Sequence, residues 1–202
     1  MMRLMLFLGL WFPAMAMAAP LPAELTRALN QLTGAHGFSA RFEQTIRFSD
    51  GTMQRYRGEV DVLTPGRFRW RYTEPYEQLF VSDGHTIWHY EPDLMQVQIL
   101  KTMQGVDSAV MRLLDGSMGL NNVILLEAGD KMDRTTRRYH VRIGEKKKVW
   151  LGLAGDHLAY VESVDTLGNR NRIVLQDVIS HPPPPAKFTF HIPPGVDVLP
   201  LH

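Results

Sequence analysis

Cysteine is absent from the 202-residue sequence, and there is almost no excess of charge, since 22 Lys and Arg residues are balanced by 21 Asp and Glu residues. Without cysteine the chain cannot carry a disulfide framework, a thiolate metal site, a cysteine nucleophile or a thioether-linked lipid of its own. Near-neutrality argues against nucleic acid as the main partner, because phosphate binding needs a basic excess. A chain of this length is expected to form a single domain.

The first 18 residues have the order of regions found in a secretory signal peptide. Arg3 precedes an apolar run over residues 4–12, and the small residues of AMAMAAP follow. The apolar run is too short to span a bilayer, which takes about 20 residues. We therefore expect cleavage after Ala18, which removes one basic residue and leaves an exported domain of residues 19–202 with 21 basic and 21 acidic side chains.

Hydrophobic periodicity predicts a mainly β protein of the α+β class. From Phe38 onward the period is two, and it is sharpest in residues 67–72, where Phe68, Trp70 and Tyr72 alternate with three arginines. Turn signals separate short strands at close intervals, which is typical of an antiparallel meander that curls into a barrel or sandwich. Further strands are predicted near 78–82, 85–90, 94–101, 122–127, 135–143, 147–153, 157–164, 170–179 and 187–192.

Two short helices interrupt this pattern. The first is predicted from the spacing of Leu25, Ala28, Leu29 and Leu32. The second covers residues 106–114, with Asp107 or Ser108 as its cap and Gly116 near its end. Its apolar residues are Val106, Ala109, Val110, Leu113 and Leu114. One amphipathic helix among strands suggests a cover over a sheet face.

The familiar catalytic and metal-binding patterns are missing. Ser117 lies in a glycine-rich segment, but a turn at a helix end explains it better than a nucleophile does. His85 and His89 could share a strand face and hold a metal, yet no third ligand has suitable spacing, so we interpret them as partly exposed strand residues. The run Lys146–Lys148 is interpreted as a solvated strand start, with contact to acidic lipid or a partner as the alternative.

Aromatic residues are concentrated at alternating positions of the first strands. They are Phe38, Phe42, Tyr56, Phe68, Trp70, Tyr72, Trp88 and Tyr90. The pattern favours an ordinary packed core. The alternative is a concave sheet whose aromatic face is covered by the two helices and leaves space for an apolar ligand. Periodicity alone does not separate these two alternatives.

The region from Phe42 to Val97 resembles the periplasmic outer-membrane lipoprotein carrier proteins, the LolA family. The matching segments are Phe42–Gln44, Gly58–Val60, Pro65–Trp70, Glu74–Pro75, Val81–Gly84, Ile87–Trp88 and Tyr90–Asp93, followed near the end by Ala186–Phe190 and Pro193–Val198. Each motif is weak alone, but the ordered set is fairly specific. One departure is Thr64, where family members carry an arginine proposed to hold the lid closed. This latch is then either weaker or supplied elsewhere, and Arg67 and Arg69, the nearest candidates, are expected to face solvent.

The resemblance implies an incomplete antiparallel β-barrel with short helices forming a lid over a hydrophobic cavity. It implies a monomeric periplasmic carrier, without catalytic group, cofactor or metal, that takes acylated lipoproteins from an inner-membrane ABC-type exporter to an outer-membrane acceptor. Without cysteine, the chain is expected to be the carrier rather than the acceptor, which is itself a lipoprotein. The expected lipid-binding residues are Phe42, Phe68, Trp70, Tyr72, Val110, Leu113 and Leu114. The alternative is a periplasmic binding protein for another lipid or acylated molecule, and an exported hydrolase using Ser117 is a third hypothesis.

Overall fold

The computed structural model describes residues 20–33, 36–101, 107–131 and 136–199. The expected signal peptide, its cleavage after Ala18 and the predicted helical residue Val106 lie outside the described residues. The two helices are α1, Ala23–Thr33, and α2, Ser108–Leu114. The strands are β1 Gly37–Arg47, β2 Met53–Leu63, β3 Arg67–Glu74, β4 Gln78–Asp83, β5 Ile87–Glu91, β6 Gln96–Leu100, β7 Val123–Lys131, β8 Thr136–Ile143, β9 Lys147–Ala154, β10 His157–Val164, β11 Arg170–Ile179 and β12 Asp197–Leu199.

All twelve strands belong to one sheet, in the order β12-β6-β5-β4-β3-β2-β1-β11-β10-β9-β8-β7. Neighbouring strands are antiparallel except β12, which pairs parallel with β6. The prediction of a mainly β, antiparallel fold is therefore confirmed. In the described part of the chain β7 and β12 are the two ends of this order, so the barrel is incomplete.

The sheet curls around one hydrophobic core. Val60 and Trp70 from the first half of the sheet belong to the same cluster of buried side chains as Val141 and Leu151 from the second half. Alternate residues of a strand point to opposite faces, so the period-two pattern directs one apolar side of every long strand inward. Both helices contribute buried leucines to the same cluster, and among the described residues no helix is long and apolar enough to cross a membrane.

The C-terminal segment differs from its prediction. A 3₁₀ turn, Pro185–Phe188, stands where a strand at 187–192 is predicted, and the last strand is instead β12. Residues 189–192 belong to neither a helix nor a strand. The ring of Phe190 lies 6.0 Å from the rings of both Trp88 and Tyr90. The prolines around this segment cannot donate sheet hydrogen bonds, so the chain covers the sheet instead of extending it.

Candidate functional site

Four aromatic side chains form the inner wall of the barrel on β1 and β3. Phe42, Phe68, Trp70 and Tyr72 have at most 5% of their surface exposed. The ring centroid of Phe42 lies 4.6 Å from that of Trp70 and 5.2 Å from that of Tyr72, which it meets edge-on. Aromatic pairs prefer such tilted or edge-to-face contacts. Phe42, Trp70 and Tyr72 therefore form one continuous aromatic surface, and Phe68 belongs to the same hydrophobic cluster.

Gly58 on β2 makes that surface possible. It pairs with Phe42 on one side and with Tyr72 on the other. A Cβ atom at this position would lie 2.9 Å from Cε1 of Phe42 and 1.9 Å from the carbonyl oxygen of Arg71. Because glycine has no side chain, the rings on the two flanking strands meet above it.

Helix α2 packs into the same hydrophobic core as this wall. Its Val110, Leu113 and Leu114 are at most 2% exposed and belong to the same hydrophobic cluster as the four aromatic residues. The structure thus brings together all seven residues that the sequence suggested for lipid binding. These side chains belong to one packed cluster, and their role in binding stays a prediction.

Two polar contacts fasten α2 to the barrel. At its start, the Asp107 side chain accepts a hydrogen bond from the backbone N–H of Ala109, at 2.9 Å, and pairs with Nζ of Lys147, also at 2.9 Å. At its end, the backbone N–H of Gly66 donates to the carbonyl oxygen of Asp115, at 3.1 Å. Interpreting Lys147 as part of a solvated run was therefore wrong, because Lys147 pairs with Asp107. This partner lies 40 positions earlier in the chain.

The alternation on β3 agrees with the expectation that Arg67 and Arg69 face outward. Arg67 and Arg69 alternate with Phe68 and Trp70 and hence point away from the interior. Thr64 belongs to the turn that carries Gly66, and this turn contacts α2 through its backbone. The lid contacts in the described residues come from Gly66 and Lys147, so the side chain at position 64 is not required for them.

Asp115 is a buried carboxylate at the end of α2, with 5% of its surface exposed. It accepts a hydrogen bond from the backbone N–H of Ser117, at 2.8 Å. Desolvation raises the pKa of Asp115, and the hydrogen bonds from Ser117 and the charge of Arg112 oppose that rise. Ser117 itself is exposed and follows the helix directly, as expected for a turn at a helix end.

The first strands contain an aromatic pair that faces outward and a histidine that faces inward. Trp88 and Tyr90 pack beneath Phe190 on the outer side, so their assignment to the inner aromatic face was wrong. His89, between them, pairs with Phe80 and is 5% exposed, whereas His85 lies in an exposed turn outside the strand. The interpretation of both histidines as partly exposed strand residues is corrected accordingly, and the described residues contain no cluster of three potential metal ligands.

The structure is an antiparallel barrel that is left open at one seam, with an aromatic wall inside and a short helix packed into its core. This architecture belongs to the class of open β-barrels with a helical lid. The sequence model described as "Outer membrane lipoprotein carrier protein LolA" matches residues 33–191. The chain belongs to this family of outer-membrane lipoprotein carrier proteins.

Individual relatives support the assignment. An outer-membrane lipoprotein carrier protein of Chromobacterium violaceum is 33% identical, with 92% of each chain covered. One from Pseudomonas aeruginosa is 32% identical over 94% of this chain and 96% of its own. Two crystal structures share the fold at 14% identity. A LolA-superfamily protein of Nitrosomonas europaea matches over 83% of this chain and 96% of its own, with a TM-score of 0.50. An uncharacterised conserved protein of Thermus thermophilus matches over 88% of this chain and 96% of its own, with a TM-score of 0.54.

Proposed function

We propose that this protein is a periplasmic carrier that encloses the acyl chains of lipoproteins in its barrel. The observation that carries the proposal is the apolar cluster in which Trp70 on the wall and Leu113 and Leu114 on α2 are buried together, within a chain of the carrier family. The largely apolar surface of these side chains matches the chemistry of an acyl chain.

The physical need for such a carrier follows from the hydrophobic effect. Each methylene group transferred from water to an apolar site contributes about 0.8 kcal/mol. A lipoprotein with long acyl chains therefore stays in its membrane unless another apolar environment is offered. The barrel interior offers one when α2 moves aside, and this process requires no catalytic step, cofactor or metal.

The transport route completes the proposal. Residues 1–18 direct export and are removed after Ala18, and residues 19–202 act as a single monomeric domain in the periplasm. The carrier receives lipoproteins from an inner-membrane ABC-type exporter and delivers them to an outer-membrane acceptor. The near-equal numbers of basic and acidic residues support free movement between the two membranes, because no large net charge holds the protein to either.

A release assay tests this function. Spheroplasts that synthesise radiolabelled lipoproteins are incubated with the purified protein, and the label is followed into the soluble fraction. We expect release only when the protein is added. If no lipoprotein is released while mass spectrometry of the purified protein finds another bound lipid, the alternative of a binding protein for that lipid is the correct one.

A charge on the wall should stop release. Phe68→Glu places a carboxylate among apolar groups, where an unpaired charge costs several kcal/mol, and we expect release to fall at least tenfold. Arg69→Glu is the matched control, because residue 69 lies on the opposite face of the same strand. Thermal unfolding establishes that both variants are folded, and Phe68→Ala provides a second test if Phe68→Glu is not. Normal release by a folded Phe68→Glu variant contradicts the proposed binding face.

A further inference from the structure

A polar pocket opens at one end of the inner sheet face. Its volume is about 290 Å³, which is near the lower limit for a small-molecule site and suits one part of a larger ligand. The polar side chains that line it are Gln44, Tyr56, Tyr72, Gln78, His89, Glu91 and Gln98. This composition contrasts with the apolar wall next to it.

His89 is the most unusual group in this pocket. Its imidazole ring stacks on Phe80, with a centroid distance of 4.0 Å and an interplanar angle of 3°. The side chain is 6% exposed, and neither ring nitrogen has a hydrogen-bond partner in the described part of the chain. Buried polar atoms in native proteins are nearly always hydrogen-bonded, and leaving one unpaired is unfavourable. His89 lines the pocket, and its two buried, unpaired nitrogens therefore point to a ligand that would pair with them on entering it.

The charge in the pocket restricts that ligand. Desolvation lowers the pKa of His89, and the nearby Glu91 opposes the shift only in part, so the ring is neutral at neutral pH and offers one donor and one acceptor. The Glu91 carboxylate lies 3.9 Å from Nδ1 of His89, and no lysine or arginine is among the lining residues described. An anionic group would meet repulsion without compensation. The pocket favours an uncharged, hydrogen-bonding group.

The pocket is continuous with the apolar interior. Tyr72 and Phe80 line the pocket and also belong to the hydrophobic cluster that contains Trp70. The hydroxyl group of Tyr72 donates to the side-chain oxygen of Gln44 at 2.8 Å, which marks the boundary between the two environments. A ligand with acyl chains in the interior would therefore place its linking group at His89.

We propose that the pocket around His89 binds the neutral, ester-linked glyceryl group of a diacylated cargo. The imidazole N–H donates to an ester carbonyl oxygen, and the amide of Gln98, which is paired with His89 across β5 and β6, lies beside it. This inference rests on the proposed function, and it adds a preference among lipids that the apolar wall does not provide.

Lipids that differ only in the head group test the preference. Dissociation constants for dioleoylglycerol, for dioleoylphosphatidic acid and for the hydrocarbon probe diphenylhexatriene are measured by fluorescence titration. For the wild-type protein we expect dioleoylglycerol to bind more tightly than dioleoylphosphatidic acid by at least about threefold. His89→Phe keeps the ring stacking and removes both nitrogens, so dioleoylglycerol should bind about 3–10-fold more weakly, as for the loss of one hydrogen bond, while diphenylhexatriene binding is unchanged.

The controls separate this inference from the proposed function. His85→Phe alters an exposed histidine in the turn before β5 and should leave all three constants unchanged. If His89→Phe does not fold, Gln98→Leu gives the same comparison. Three results would overturn the inference and leave the proposed binding of acyl chains intact. One is that His89→Phe binds dioleoylglycerol as tightly as wild type does, and another is that it loses as much affinity for diphenylhexatriene as for dioleoylglycerol. The third such result is that the wild-type protein prefers the anionic lipid. Failure of the wild-type protein to bind any of the three probes overturns the proposed function itself.

Discussion

The attachment of α2 to the barrel can be weakened in separate steps, because Asp107 has two roles. It caps the helix through Ala109 and pairs with Lys147, and the two paired side chains are 28% and 24% exposed. Loss of an N-terminal cap costs about 1 kcal/mol, and loss of a partly exposed ion pair costs up to about 1 kcal/mol. Since 1.4 kcal/mol is a factor of ten, Asp107→Ala should raise the open population of α2 about 10–30-fold. Asp107→Asn, which keeps an oxygen for the cap, and Lys147→Met should each raise it about 2–5-fold.

Hydrogen–deuterium exchange measures this opening at two amides. The N–H of Met111 donates to the carbonyl of Asp107 at 2.9 Å, and the N–H of Asp115 donates to the carbonyl of Met111 at 2.8 Å. Lys148→Met is the matched control, because Lys148 is exposed and follows Lys147 on the opposite face of β9. Equal exchange at these amides in Asp107→Ala and Lys148→Met would refute the assigned role of Asp107. Equal effects of Asp107→Asn and Asp107→Ala would refute the contribution of the cap.

Two further substitutions test the wall and the buried carboxylate. Gly58→Ala brings a Cβ to 1.9 Å from the Arg71 carbonyl oxygen, so we expect loss of β2–β3 pairing and a clearly lower Tm; an unchanged Tm would contradict this packing. Asp115→Asn keeps an acceptor for Ser117 but removes a carboxyl group whose pKa is raised by burial. The folded state binds that proton more tightly than the unfolded state, so wild-type stability falls as pH rises above about 4. The variant should therefore be more stable than wild type near pH 7, and chemical denaturation near pH 3 should show no such gain.

Local patterns predicted the aromatic wall but not the strand beside it. Phe68 and Trp70 alternate with arginines, so the direction of each side chain on β3 could be derived from the pleat alone. On β5 the same rule favoured Trp88 and Tyr90 as the inward residues, because they are more apolar than His89. The outer side of this strand is also apolar in the folded protein, since the distant C-terminal segment covers it. Contacts of that kind depend on tertiary packing, which single-strand periodicity does not contain.

The contacts of α2 with the rest of the protein could not be predicted from the sequence, for a related reason. Its helical spacing and its cap at Asp107 could be predicted from adjacent residues. Its partner Lys147 could not, because the pair forms only when β9 is placed beside the helix. The buried position of His89 likewise depends on its register with Phe80. Short-range signals therefore identified the wall and the lid, whereas the fastening of the lid and the polar pocket required the folded chain.

The packed interior also determines how tightly a carrier of this kind can hold its cargo. A chain of about 16 carbons would gain about 12 kcal/mol if fully buried, and two such chains would exceed the practical limit of non-covalent affinity, about 18–21 kcal/mol. In the proposed binding mode the chains enter where Leu113 and Leu114 pack, and exposing each of these side chains costs about 1.5–3 kcal/mol. The cost of opening α2 therefore reduces the net free energy of binding the acyl chains, which makes release of the cargo possible.

This coupling predicts a relation between lid opening and affinity. When the binding-competent state is a minor one, the apparent dissociation constant is inversely proportional to its population. Asp107→Ala should then bind diphenylhexatriene more tightly than wild type, by about the same 10–30-fold that exchange at Met111 reports. Lys148→Met should change neither quantity. Faster exchange in Asp107→Ala with unchanged affinity would show that an apolar ligand reaches the interior without displacing α2. The cost of exposing Leu113 and Leu114 would then not reduce the binding free energy, contrary to the argument above.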